Sequence, residues 1–174
     1  MTSPTPGPVL VVGSYPPIPV GGAAATVGEV RRAWAAGDEV RVVAPRLSAA
    51  HVAIPVTGLL AARRLDYARR RFGARRIVLV VEPGYPLVTR GTAWSLARAL
   101  RRFDHVRLVR TSDVPLRTAG WDRLAALAHE VDVAEPGPTA PGVTPLGPPE
   151  VTMWVRVRAR LAPLRRMLRR PPGP

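Results

Sequence analysis

Apolar positions recur in two rhythms along this chain of 174 residues. Short unbroken runs, at Val9–Val12 and within Arg76–Val81, have the length and β-branched content of strands buried on both faces. Between such runs the spacing changes to three and four. Val27, Val30 and Trp34 form one buried stripe of a helix over residues 23–36, and Gly37 supplies its C-terminal stop. Residues 39–44 read as a second strand closed by Pro45, which makes the segment from Val9 onward a βαβ unit with parallel strands.

The same alternation continues. Residues 48–57 are a connection containing His51. Residues 58–72 are a helix rich in arginine, with Leu59, Leu60, Leu65 and Tyr67 expected to supply its buried contacts, and Gly73 ends it. The strand within 76–81 is the most apolar and is expected at the sheet centre. A helix over 92–103 is expected to turn Trp94, Leu96, Ala99 and Leu100 inward. Residues 105–109, 121–129 and 131–134 follow as strand, helix and strand. The pattern predicts an α/β fold: a single Rossmann-like domain, its mainly parallel sheet flanked by helices.

Beyond the domain, residues 136–150 are a Pro/Gly linker with little to bury, and residues 1–8 are a loose arm before it. In residues 151–174, Trp154, Val157, Leu161, Leu164 and Leu168 share one helical face. Arg156, Arg158, Arg165, Arg166, Arg169 and Arg170 lie opposite or on its flanks, and Pro163 interrupts the middle. This basic amphipathic segment is expected either to meet an anionic membrane surface or to pack on the domain or a partner.

Composition narrows the chemistry. The net charge is +14, and the tail supplies half of it with seven arginines and no acid. Cysteine is absent, which excludes disulfides, thiolate metal sites and thiol nucleophiles. Lysine is absent too, which removes a Walker-type phosphate loop and Schiff-base catalysis. The heavy use of arginine, alanine, glycine and proline reads as a GC-rich, bacterial coding bias. His51, His105 and His129 have no metal-ligand spacing, so no metal or other cofactor is expected. Aromatic residues are few and not interleaved with the arginines, which argues against nucleic acid as a partner. No signal peptide or membrane-length apolar run is visible, so a cytoplasmic protein is expected, peripheral at the inner face of the plasma membrane.

Candidate chemistry gathers where strands end. The loop Gly-Ser-Tyr-Pro-Pro-Ile-Pro-Val-Gly-Gly over 13–22 joins a strand to a helix N-terminus, a natural place for phosphate or a sugar diphosphate. Ser14, Tyr15, Gly21 and Gly22 are its candidate ligand contacts, with Ser112 from a later loop. Glu82 and Asp113 are the candidate acids; taken singly, Glu82 reads rather as a helix cap or an arginine partner, and Asp113 as a turn or N-cap residue. All three loops fall at the carboxyl ends of their strands, where parallel sheets bind ligands.

The strand and loop at 9–17, Gly21-Gly22, and the turn Gly37-Asp-Glu-Val resemble the N-terminal domain of GT-B glycosyltransferases, in particular the retaining, nucleotide-sugar-dependent group. Asp38 stands where those enzymes carry histidine in a Gly-His-Glu-Val turn. The resemblance covers about residues 8–135. It implies a glycosyltransferase-like protein in which Gly21 and Gly22 approach a diphosphate or the acceptor. Such enzymes use a second Rossmann-like domain to hold the donor. The resemblance therefore implies an acceptor-side half in glycan or glycolipid synthesis, working with a separate donor-binding chain. The alternative is a non-catalytic adaptor, a remnant of such an enzyme that binds membrane or a partner.

Overall fold

The structure is a computed structural model and describes residues 7–15, 21–44, 50–54, 56, 58–81, 90–111 and 120–134. Six strands and four helices alternate: β1 (Val9–Val12), α1 (Gly21–Ala35), β2 (Val40–Ala44), β3 (Val52–Ala53), α2 (Ala61–Phe72), β4 (Arg76–Val81), α3 (Arg90–Leu100), β5 (His105–Thr111), α4 (Trp121–Ala125) and β6 (Glu130–Ala134). The strands form one sheet in the order β3-β2-β1-β4-β5-β6, and every neighbouring pair is parallel. This is the α/β architecture that the sequence pattern predicts. β1 and β4 are the two central strands, so the Arg76–Val81 strand lies at the sheet centre as its apolar run predicts.

That order follows from the chain's direction of travel. From β1 the chain moves outward through β2 to β3, then crosses back to β4 and moves the other way. Right-handed crossovers require the covering face to change at that reversal. Accordingly α1 covers one face with Val9, Val11, Val42, Val78, Val80 and Val109 beneath it. The other face, with Leu10, Val12, Ile77, Leu79, Val106 and Leu108, lies under α2, α3 and α4. Successive strand residues alternate between these two cores, which is why β1 and β4 read as unbroken apolar runs.

Glycine sets two boundaries. Gly73 closes α2 with φ of +64°, and its N–H and that of Ala74 bond back to the last turn. Gly13, just past β1, matters for space: a Cβ there would overlap Thr26 Oγ1 of α1 and sit 3.0 Å from Val80 Cβ. Only a residue without a side chain lets α1 lie this close over the β1–β4 junction.

Several side chains expected inside are outside. Trp34 is 48% exposed, Leu59 74%, Tyr67 50% and Trp94 54%, and Leu60 is exposed as well. Helical spacing places residues on a common face, but the apolar stripes here extend past the buried side, which in α2 and α3 is held by Ala61, Leu65, Ala68, Ala93, Leu96 and Leu100. The start of α2 shows the consequence. Its N-cap is Leu60, which offers no capping oxygen. Two buried hydroxyls of α3 do that work across the helix pair. Ser95 Oγ accepts the Ala62 N–H at 2.9 Å and donates to Leu59 O at 2.8 Å, while Thr92 Oγ1 accepts the Gly58 N–H at 3.1 Å.

Three other differences concern element ends. The connection over 48–57 contains the short outer strand β3, α1 begins earlier than expected at Gly21, and α4 ends at Ala125 so that β6 starts at Glu130. The linker 136–150 and the tail 151–174 lie outside the described residues.

Asp66, on the inner side of α2, ties the helical layer together. It bonds Arg70 at 2.7 Å, Arg102 at 2.9 Å and Arg69 at 3.3 Å. Burial alone would raise its pKa, but the bonds from Arg102, Arg69 and Arg70 outweigh that and hold it below the ordinary 3.8. A carboxylate depressed in the folded state stabilises above its unfolded pKa, and that stability is lost as pH falls through the folded value. Acid titration of stability should therefore show a loss below about pH 4 that Asp66→Asn flattens. Gly13→Ala is expected to destabilise by about 1–3 kcal/mol, because α1 has to move off the sheet; urea unfolding measures it.

Candidate functional site

The carboxyl ends of β1 and β4 define the point where strand order reverses, and a crevice opens outside a parallel sheet at such a point. Gly13, Ser14 and Tyr15 leave β1 here, and α1 begins here at Gly21, so Gly21 and Gly22 form its first turn. A helix of fifteen residues starting at this place directs its free N–H groups and positive dipole end toward the same edge. β5 ends on the same edge with Thr111, two strands from β1. Glu82, Ser112 and Asp113, which the sequence places on the neighbouring loops, lie outside the described residues. So do Trp154, Arg156, Arg158, Arg165, Arg166, Arg169 and Arg170 of the tail.

Of the two candidates on the β1 loop that are described, neither presents its side chain to solvent. Ser14 is buried and bonded. Tyr15 is completely buried among Ala25, Val27 and Val30 of α1 and the strands beneath them. Among the described residues its hydroxyl has no hydrogen-bond partner. Burial pushes its pKa up, against a smaller opposing pull from Arg31 in the third turn of α1. The ring thus lies along the flank of α1 as part of the core. Thr111 Oγ1 is likewise buried without a partner. The edge is built from a glycine, a helix start and packed side chains.

Sequence reasoning missed a second polar centre, at the amino half of the sheet under α1. Arg107 of β5 is nearly buried and meets three carboxylates: Glu29 of α1 at 3.0 Å, and Glu130 and Asp132 of β6. Burial would lower its pKa, but the bonds to Glu29 and Glu130 raise it above the ordinary value. The Arg107 bond in turn holds Glu130 below the normal carboxylate range. Nearby, Arg76 at the start of β4 bonds Asp38 at 2.7 Å. The Asp38 that departs from the glycosyltransferase turn is therefore a partner for a strand-end arginine. Arg107, Glu29, Glu130, Arg76 and Asp38 line a cavity of about 160 Å³ with His105 and Arg32. Its groups engage one another: Arg107 pairs with Glu29 and Glu130, Arg76 pairs with Asp38, and His105 Nε2 lies 3.4 Å from Glu130 Oε1. The signal was present in the strand alternation: His105 and Arg107 share a face of β5, as Glu130 and Asp132 share a face of β6.

The three histidines are structural in placement. His51 Nδ1 accepts the Val42 N–H at 3.0 Å, and His129 Nδ1 accepts the Val106 N–H at 3.1 Å. His105 stacks on His129 with ring centroids 5.0 Å apart. Among the described residues no group of three His, Asp or Glu side chains can hold a metal ion, and no helix is long and apolar enough to cross a membrane. No known family, curated protein or solved structure matches the chain.

Removing the unpartnered hydroxyl tests the packing of the β1 loop. Tyr15→Phe is expected to leave stability unchanged or to raise it by up to about 1–2 kcal/mol, since the buried oxygen makes no bond. Thermal unfolding of both proteins checks this, and a loss of stability would mean that the hydroxyl has a partner in solution.

Proposed function

We propose that this chain is a glycosyltransferase-like protein, an acceptor-side half-domain that works at a membrane surface in glycan or glycolipid synthesis with a separate donor-binding chain. One observation carries the reading: the strand order reverses beside β1, and β1 runs through Gly13 into the start of α1 at that point. This is the arrangement in which a parallel sheet cradles a phosphate-bearing ligand. Gly21 and Gly22 would offer backbone N–H groups to a diphosphate. Ser14 and Ser112 would lie near it, and Glu82 or Asp113 would orient an acceptor hydroxyl. In the transfer, that hydroxyl oxygen bonds to the anomeric carbon while the nucleoside diphosphate leaves with the electron pair of the old bond, and the hydroxyl proton passes to the departing diphosphate oxygen. A half-domain contributes orientation and electrostatic support to such a step.

A second reading, a non-catalytic adaptor at the cytoplasmic leaflet, is favoured by a different observation. The carboxylates and histidines of the described residues that are engaged in bonds sit at the amino half of the sheet or in the helical layer, as Arg107 with Glu29 and Asp66 with its arginines illustrate. Calorimetry separates the two. Nucleotide sugars titrated into the purified chain are expected to bind, and Gly21→Val combined with Gly22→Val is expected to weaken binding at least tenfold. A folded chain that binds no nucleotide sugar, with or without anionic vesicles, would leave the adaptor.

A further inference from the structure

The outer side of α2 and α3 carries charge and apolar surface together. These two helices contain seven arginines and a single acid, Asp66, which is already bonded to Arg69, Arg70 and Arg102. Between the helices runs a groove of about 360 Å³ lined by Leu59, Arg63, Trp94, Arg98 and Arg102. On the other flank of α2 a second depression of about 350 Å³ is lined by Leu60, Arg63 and Tyr67 with Ile54. Arg63 belongs to both. Leu59, Leu60, Arg63 and Tyr67 thus follow one exposed line along α2, with Trp94 across the groove.

We infer that this face is a docking surface for an anionic lipid bilayer. The inference deepens the membrane part of the proposed function and rests on it. Three features select lipid over other anionic partners. Leu59, Leu60, Tyr67 and Trp94 are all exposed although they line the two depressions, so one broad surface can cover all four together. Leu59, at 74% exposed, has nothing to offer a base or a phosphate, but it suits the boundary between headgroups and acyl chains. The aromatic rings of Trp94 and Tyr67 sit among guanidinium groups, the pairing that places rings at the headgroup level and cations against lipid phosphate. The exposed leucines are also held in place. Ser95 and Thr92 clamp the start of α2, so Leu59 and Leu60 are presented by a fixed backbone. The tail would supply a second attachment, and two weak contacts on one chain reinforce each other.

The absence of cysteine allows a clean test in the full chain. Leu59→Cys and, on α1 of the opposite face, Arg31→Cys are each labelled with an environment-sensitive fluorophore. Both are mixed with vesicles of phosphatidylcholine with or without phosphatidylglycerol. With phosphatidylglycerol present, the label at position 59 should shift to the blue and the label at 31 should not. Arg63→Gln with Arg98→Gln, both at exposed positions, should weaken vesicle binding about tenfold or more while circular dichroism stays unchanged. A vesicle-bound chain whose label at 59 still reports water overturns the inference and leaves the tail as the membrane contact. So does undiminished binding by the double variant, or a label at 59 that responds to RNA or an acidic polypeptide and not to vesicles. Nucleotide-sugar calorimetry without lipid reads the sugar site separately, so either reading can fail alone.

Discussion

The architecture depends on how closely α1 can lie against the junction of β1 and β4. β1 has only four residues, all buried, and it pairs with a neighbour on each side. Everything that moves outward from the sheet centre does so from this short strand. Gly13 leaves the space beside Val80 that Thr26 of α1 fills, and this close contact of helix and strand end brings α1 down onto the sheet. The start of α1 and the carboxyl ends of the central strands are placed by the same contact. Among the described residues, the edge proposed as the crevice is therefore placed by core packing.

The face under α1 is unequally covered. One helix serves four strands there, while three helices share the other face. Toward the β6 side this face carries ions beside its apolar side chains. Arg107 takes up Glu29, Glu130 and Asp132, which fastens the last strand to α1 through charge. Such a network contributes less than an apolar core of equal size would, but removing one partner leaves buried charge uncompensated. Its role is to hold β6 in register.

The alternation of apolar runs and helical spacing made the α/β class and nearly every element legible in the sequence, because fully buried parallel strands have few other readings. Layer assignments were less legible. Trp34, Tyr67 and Trp94 lie on helical stripes, and spacing alone does not say how wide a stripe the sheet can cover. The short strand β3 was hidden because two residues carry no period. Arg107 was hidden because its meaning depends on Glu29, far away in sequence and supplied by α1. The candidate site was legible as a place, the edge where β1 meets α1, since glycine before a helix is a local signal. The burial of Tyr15 was not, because it depends on the distance between α1 and the sheet.

The two borders of the sheet are drawn in the same way. His51 stands directly before β3, and His129 directly before β6, and each takes a backbone N–H from the adjacent inner strand with its Nδ1. The imidazole occupies a rung that a further strand residue would otherwise fill. For β3, with two residues, that rung is a large share of the ladder. A strand this short has too few backbone bonds to distinguish one alignment from the next, and a side chain of fixed length does so in their place. The lateral order of the outer strands is thus anchored by two imidazoles, which lets the sheet stop early on one side without losing its alignment.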